Sequence, residues 1–250
     1  MLGRLRALRV PRLPPAAWAA ALGVALVAAN ACYQLARKPT ELLTLVAPGA
    51  RKAPAETWRA YGDLFRAHAT DAVRPELLAA LAQAESAGDP LASPPWRLRW
   101  TTDPLSVYAP ASSAVGLLQM TEGNYARARE LCIRGGAPAR DGPWYDPRTC
   151  FLNALYMRTV PGHAIEMTSA YLHLACEEIL LRPGVRRPGP QERDGLVAVV
   201  HLCGPERGAA YARRGYRALP GERCGDQDLA AYVARVRLLA ELFAARARDP

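Results

Sequence analysis

One carboxylate, Glu85, stands out because it lies at the end of an apolar stripe on its segment. The pattern over residues 75–87 predicts a helix that begins at Pro75, a residue favoured in the first helical turn. Leu78, Leu81 and Glu85 fall on one face of this helix, at spacings of three and four. A carboxyl group on that face would lose solvent and bind its proton more tightly, as a general acid must. The alternative is a glutamate at a helix end that simply reaches water.

The composition favours a helical protein with one domain. The chain has 250 residues, of which half are hydrophobic, and Ala and Leu are good helix formers. We find no alternating stretches that would indicate strands. The sequence therefore predicts an all-α domain over 55–250. Its other segments, separated by proline and glycine, are a loop over 88–115 and helices over 55–69, 122–133, 149–159, 163–182, 191–202, 205–218 and 226–247.

The N-terminal segment has the layout of an export signal or a membrane anchor. Residues 1–13 are basic, and no charged side chain follows until Arg37. We therefore predict that residues 1–36 are a signal or anchor and that residues 37–54 are a linker. Such a segment engages the membrane and places the body outside the cytoplasm, in the periplasm of a bacterial cell.

Three fates of this segment stay open. Cleavage is indicated by Ala29-Asn30-Ala31, which fits the small-residue motif of signal peptides. Cys32 follows directly and is a candidate for lipid attachment, although Ala29 stands where lipoprotein signals carry a branched residue. The apolar run is also long enough to remain as a single spanning helix.

The other cysteines agree with an oxidising compartment, where exposed thiols tend to pair. Cys132 with Cys150 would staple a loop to the next helix, and Cys203 with Cys224 would staple a helical hairpin, which leaves Cys176 as a small buried residue. The spacing alone does not fix this pairing. A metal site is the alternative, but the chain has no C-x-x-C or H-x-x-x-H spacing, so we expect neither metal nor cofactor.

The net charge of +9 suits an anionic partner such as a nucleic acid, an acidic membrane face or the cell wall. An arginine-rich soluble surface explains it equally well. No cluster of Lys and Arg is interleaved with aromatic residues, so we expect no nucleic-acid binding.

Four segments in order resemble the SLT-type lytic transglycosylases of the lysozyme-like superfamily. Glu85-Ser86 matches the E-S pair that ends a helix in that family, and residues 112–120, SSAVGLLQM, resemble its G-L-M-Q motif. Residues 165–172, IEMTSAYL, are similar to its N-I-E-x-G-x-x-Y-L stretch. Residues 200–205, VHLCGP, stand in the place of A-Y-N-A-G-P.

The resemblance implies a lysozyme-like helical fold and cleavage of the peptidoglycan glycan strand. Glu85 would protonate the oxygen between N-acetylmuramic acid and N-acetylglucosamine. It would then take a proton from the muramoyl C6 hydroxyl, so that a 1,6-anhydro sugar forms without water. This differs from the two-carboxylate scheme of most glycosidases, and Asp89 is the only other acidic residue close to Glu85 in the sequence.

The resemblance also implies substrate contacts, each with a structural alternative. Gln119 would hydrogen-bond substrate or order the loop, and Glu166 would touch substrate or only favour the first turn of its helix. Tyr171 would lie in the core with its hydroxyl at the groove. The remaining candidates are Ser86 and the turn residues Ser112 and Ser113, which would reach the N-acetyl group or the peptide stem.

The departures from the family leave other functions open. The family's tyrosine that contacts the catalytic glutamate is His201 here, and its asparagine is Leu202. Histidine also donates hydrogen bonds and titrates near neutrality, so activity would survive with a changed pH dependence; otherwise His201 is a core residue. The alternatives are a goose-type lysozyme, which hydrolyses the same bond, and a peptidoglycan-binding module without activity. The sequence does not identify protein partners.

The loop between Glu85 and Gln119 is longer than is usual in this family. It carries Trp96, Trp100 and Tyr108, whose aromatic faces can stack on sugar rings. We expect this loop to wall the groove; the alternative is a loop that buried tryptophans pin to the body.

Overall fold

Proline opens most of the helices in this protein. The computed structural model describes residues 14–37, 51–140, 142, 150, 153 and 158–248. Among them, six α-helices begin on a proline, whose fixed φ suits the first helical position and whose missing N–H is not needed there. In chain order the helices are α1 (Pro15–Arg37), α2 (Pro54–Ala67), α3 (Pro75–Ser86), α4 (Glu122–Ala128), α5 (Pro161–Leu180), α6 (Pro190–Cys203), α7 (Pro205–Arg213) and α8 (Leu229–Arg248).

The protein is mostly helical, as predicted, but three short antiparallel hairpins among the described residues were missed. They are β1 with β2 (Trp96–Leu98 and Tyr108–Pro110), β3 with β4 (Leu131–Arg134 and Ala137–Arg140) and β5 with β6 (Arg223–Cys224 and Gln227–Asp228). A 3-10 turn, Pro104–Ser106, lies inside the first hairpin.

Two predicted helix ends are wrong for local reasons. The helix predicted over 122–133 stops at Ala128, and Leu131–Arg134 turns back as a strand through Gly135 and Gly136, both at positive φ. The helix predicted over 205–218 stops at Arg213, because Gly215 and Tyr216 also take positive φ. Most of the predicted helix over 149–159, like the basic residues 1–13 and most of the linker 37–54, lies outside the described residues.

The described residues form two compact units. One contains α1 and the segment Pro95–Ala111, which includes the first hairpin. The other contains α2, α3 and everything from Ser112 onward, and it holds the main core.

Helices α3 and α8 form the centre of the second unit. They pack along each other, α2 covers α3, and α6 contacts both α7 and α8. Helix α8 turns one stripe inward, at the three- and four-residue spacing of an amphipathic helix. The buried members of this stripe are Leu229, Tyr232, Val233, Val236, Ala240 and Phe243. Burial of each large apolar side chain stabilises the fold by roughly 1.5–3 kcal/mol.

Candidate active site around Glu85

Glu85 occupies the last turn of α3, and its side chain is only 11% exposed. The helix ends just after it, because Ala87 adopts the left-handed conformation and Gly88 follows at positive φ. A β-carbon at Gly88 would lie 2.2 Å from the Thr57 hydroxyl oxygen, so the chain needs glycine there to leave α3 close against α2. The position agrees with the predicted apolar face, since Leu78 and Leu81 are fully buried.

The closest partner of Glu85 is Tyr232, on the first turn of α8. Its hydroxyl donates a hydrogen bond to Glu85 Oε1. The Tyr232 side chain is buried, and burial together with the negative charge of Glu85 raises the pKa of Tyr232 well above 10. The phenol therefore keeps its proton and remains a donor to the carboxylate.

The sequence analysis missed Tyr232, although a signal was present. Its side chain falls on the buried stripe of α8, and a buried tyrosine hydroxyl usually needs a hydrogen-bond partner. An acceptor was therefore to be expected on whichever helix packs against that stripe.

His201, in the last turn of α6, lies on the same side of the carboxylate as Tyr232. Its Nε2 is 3.8 Å from Glu85 Oε1, and its side chain is 8% exposed. Burial lowers the pKa of His201 below 6.5, while the charge of Glu85 and a hydrogen bond to the Leu118 backbone oppose that shift. The imidazole is therefore neutral at neutral pH.

The segment Gly116–Gln119 forms a tight turn that closes a bridge between Val115 and Met120. Gly116 has a φ of 82°, and a β-carbon there would lie 2.3 Å from the Arg158 carbonyl oxygen. Leu117 and Leu118 are fully buried, so the turn is anchored in the core.

Two side chains tie this turn to its surroundings. The Ser86 hydroxyl lies 2.7 Å from the Leu117 carbonyl, which joins the end of α3 to the turn. Gln119 Nε2 donates to the carbonyls of Ala92 (2.9 Å) and Gly116 (3.0 Å). The amide group of Gln119 therefore orders the loop, as one of the two interpretations of this residue expected.

The two serines before the turn have local partners. Ser112 Oγ accepts from the Ala114 N–H, and Ser113 Oγ accepts from the Glu122 N–H. The Ser113 carbonyl accepts from the guanidinium of Arg158, which is fully buried and also pairs with Glu122 at 3.0 Å. Arg158 is a second residue that the sequence did not single out.

Glu166 belongs to a different group of side chains. Helix α5 begins at Pro161, so Glu166 lies in its second turn and the predicted first-turn position is wrong. Its carboxylate accepts from the Ile133 N–H (3.0 Å) and from Asn153 Nδ2 (3.0 Å). Asn153 Oδ1 in turn lies 2.5 Å from His163 Nδ1. These contacts attach the third strand to α5.

This group borders a cavity of about 470 Å³ between α2 and α5, whose walls include Tyr61, Leu64, His68, His163 and Glu166. Burial lowers the pKa of His68, although the charge of Glu166 opposes the shift. None of Glu85, His201 and Tyr232 lines the cavity.

Tyr171, on α5, lies in the hydrophobic core and is 8% exposed. Its hydroxyl has no hydrogen-bond partner among the described residues.

A disulfide connects α6, which carries His201, to the hairpin that leads into α8, which carries Tyr232. Cys203, two residues after His201, is bonded to Cys224 in the hairpin that precedes Tyr232. A second disulfide joins Cys132 to Cys150. These are the two pairs that the sequence suggested. Cys176 is free and buried, and Cys32 is free and exposed on α1.

The aromatic residues of the long loop belong to the unit that contains α1. Trp96 is half-buried and packs on Tyr108, with ring centroids 5.1 Å apart, whereas Trp100 is fully exposed.

In comparisons with protein families and curated proteins, the sequence matches no family model and no curated protein.

Proposed function

We propose that this protein is an extracytoplasmic lytic transglycosylase with a lysozyme-like helical domain, which cleaves the β-1,4 bond between N-acetylmuramic acid and N-acetylglucosamine in peptidoglycan. The observation that carries the proposal is the nearly buried carboxyl group of Glu85, with the Tyr232 hydroxyl and the His201 ring at the same oxygen. The four motifs of the sequence supply the substrate class.

The first step needs Glu85 as an acid. Protonated Glu85 gives its proton to the glycosidic oxygen, the bond from that oxygen to the muramoyl C1 breaks, and positive charge develops at C1. The carboxylate that remains accepts the hydrogen bond of Tyr232, so the charge formed in this step meets a donor already in place.

The second step needs Glu85 as a base. The carboxylate takes the proton of the muramoyl C6 hydroxyl, the oxygen bonds to C1, and a 1,6-anhydro ring closes. Glu85 is protonated again, and no water is consumed. One carboxyl group is sufficient for both steps.

A neutral His201 suits this cycle. A charged imidazolium 3.8 Å from the carboxylate would favour the ionised form of Glu85 before the reaction begins, whereas the first step starts from the protonated form. Burial, which lowers the pKa of His201, avoids that situation. The histidine that replaces the family's tyrosine is therefore compatible with an acid–base role for Glu85.

The location is supported by two independent features. Helix α1 is long and apolar enough to cross a membrane and lies near the N-terminus. The two disulfides are typical of oxidising compartments outside the cytoplasm. Both features suggest that the protein lies outside the cytoplasm, where peptidoglycan is available.

The test is release of soluble fragments from purified peptidoglycan sacculi by the full-length chain in detergent. Wild type should release muropeptides and Glu85→Gln should release none. The control is Glu76→Gln, on the same helix, since Glu76 pairs with Arg74 instead. If wild type and Glu85→Gln release equal, negligible amounts, the enzymatic proposal is rejected and a peptidoglycan-binding module remains as the alternative.

A further inference from the structure

Helix α1 leaves its apolar surface uncovered. Residues Pro15–Ala36 have a mean hydropathy of 1.6, and only 6% of the most apolar window is buried. Leu22, Val24 and Leu26 are each at least 60% exposed. At about 1.5 Å per residue the helix matches the roughly 30 Å hydrocarbon core of a bilayer.

The C-terminal end of α1 is covered by the hairpin of the same unit. Asn30 and Gln34 are 3% and 9% exposed, although both are polar and lie on an otherwise bare helix. Gln34 Nε2 donates to the Leu105 carbonyl at 2.5 Å. Helix α1 packs on both the 3-10 turn and β2, so the hairpin is held against this end of the helix.

The hairpin itself carries an exposed apolar surface. Leu98 is 75% exposed, Leu105 is 40% exposed and Trp100 is fully exposed, while Trp96 and Tyr108 pack on each other. Leu98 and Trp100 are separated by Arg99, and Arg97 precedes them. An exposed tryptophan among apolar and arginine side chains is typical of the membrane–water interface, where the indole ring lies at headgroup level.

We propose that the segment Trp96–Pro110 is a membrane-docking hairpin, which sets Leu98 and Trp100 into the headgroup region of the leaflet from which α1 emerges. The occupant of this surface is the lipid bilayer that α1 itself spans. Basic residues before a spanning helix stay on the cytoplasmic side, so the end of α1 that carries Gln34 faces outward. The docking surface therefore meets the outer leaflet.

The buried position of Asn30 selects one of the three fates of the N-terminal segment. Cleavage after Ala31, or lipid attachment at Cys32, would remove Asn30 and most of α1 from the chain. Gln34 itself would remain in the mature chain, but Asn30, which is 3% exposed on the same helix, is present and buried only when α1 is retained. Helix α1 is thus a permanent anchor, and this conclusion does not depend on the enzymatic activity.

A fluorescent label at position 100 tests the docking. In a Cys32→Ser background, Trp100→Cys offers one reactive thiol, because Cys176 is buried and burial raises its pKa to about 12. The full chain, labelled with an environment-sensitive dye, is reconstituted in phosphatidylcholine vesicles with a minority of phosphatidylglycerol. The matched control is Leu238→Cys, since Leu238 is 68% exposed on α8 of the other unit.

The label at position 100 should emit at shorter wavelength in vesicles and lose most of its emission to lipids with a shallow nitroxide. The label at position 238 should emit as in water with either lipid. A label at position 100 that emits as in water overturns docking. A shift caused by soluble chitooligosaccharides but not by lipid also overturns it, and would make the hairpin a wall of a glycan groove.

A separate measurement tests whether α1 is retained as an anchor. Intact mass measurement of the protein from bacterial membranes should show a chain that still contains residues 14–31. A mature chain that begins at Cys32, with or without lipid, overturns the inference.

Discussion

Tyr232 donates its hydroxyl hydrogen bond to Glu85 across 147 residues of sequence. The two residues meet because α8 packs along α3, with one at the start of α8 and the other at the end of α3. The packing of two core helices therefore also sets the orientation of the carboxyl group that we propose as acid and base.

Removal of the Tyr232 hydroxyl should slow peptidoglycan cleavage. A hydrogen bond to a charged group contributes roughly 1.5–3 kcal/mol, so Tyr232→Phe should lower kcat about ten- to a hundredfold. The rate of muropeptide release measures this. Tyr216→Phe is the control, because that hydroxyl donates to the Arg186 carbonyl. Full activity of Tyr232→Phe would contradict a role for the contact.

His201 should make stability depend on pH. Well above pH 6.5 the ring is neutral in both the folded and the unfolded state, so His201 does not lower the free energy of unfolding there. As the pH falls below 6.5 the unfolded chain binds the proton first, because burial lowers the pKa of His201 in the fold. The free energy of unfolding therefore decreases until the pH passes the folded-state pKa.

Urea unfolding of wild type and His201→Gln at about pH 7.5 and about pH 5 checks this. Wild type should lose more stability than the variant between the two conditions. His68, whose pKa is also lowered by burial, is present in both proteins, so its effect cancels in the comparison. An equal loss in both proteins would show that His201 titrates normally.

The disulfide Cys203–Cys224 should matter for activity beyond its effect on stability. It spans 21 residues and Cys132–Cys150 spans 18, so each should stabilise the fold by about 3 kcal/mol. Replacement of Cys203 and Cys224 by serine should lower muropeptide release further than replacement of the other pair, because that bond ties the end of α6, with His201, to the hairpin before α8, with Tyr232. The assay is run at a temperature where both variants are folded. Equal rates of muropeptide release by the two double variants would show that Cys203–Cys224 does not affect the candidate site.

Glu166→Gln should destabilise the protein without altering substrate affinity. The carboxylate accepts from Ile133 and Asn153, and loss of such contacts for a buried group costs roughly 1–3 kcal/mol. Glu177→Gln, an exposed change on the same helix, is the control. Chemical unfolding and the KM for peptidoglycan are both measured; an increase in KM with unchanged stability would make Glu166 a substrate contact.

Helix positions followed from local signals, but the hairpins did not. Pro75 and the apolar face of α3 were readable because a helix repeats its pattern over several turns. Residues 131–134 are a strand only because Gly135 and Gly136 reverse the chain, and three apolar residues in a row resemble a helix continuing. Strands of two to four residues are too short to show alternation.

The candidate site was predictable in part. Glu85 was singled out by the apolar face of its helix together with the motifs that follow it, and His201 by its motif. Tyr232 and Arg158 were missed because their roles arise from contacts with residues far away in sequence. A buried hydroxyl or guanidinium indicates that a partner exists, but only the packed helices show which residue it is.

The most direct test of Glu85 as acid and base is the product formed by wild type in water enriched in oxygen-18. Mass spectrometry should find 1,6-anhydro-muramoyl ends that carry no heavy oxygen, because the C6 hydroxyl of the same sugar closes the ring. Reducing muramoyl ends that carry one oxygen-18 atom would contradict the transglycosylase mechanism and establish a hydrolase.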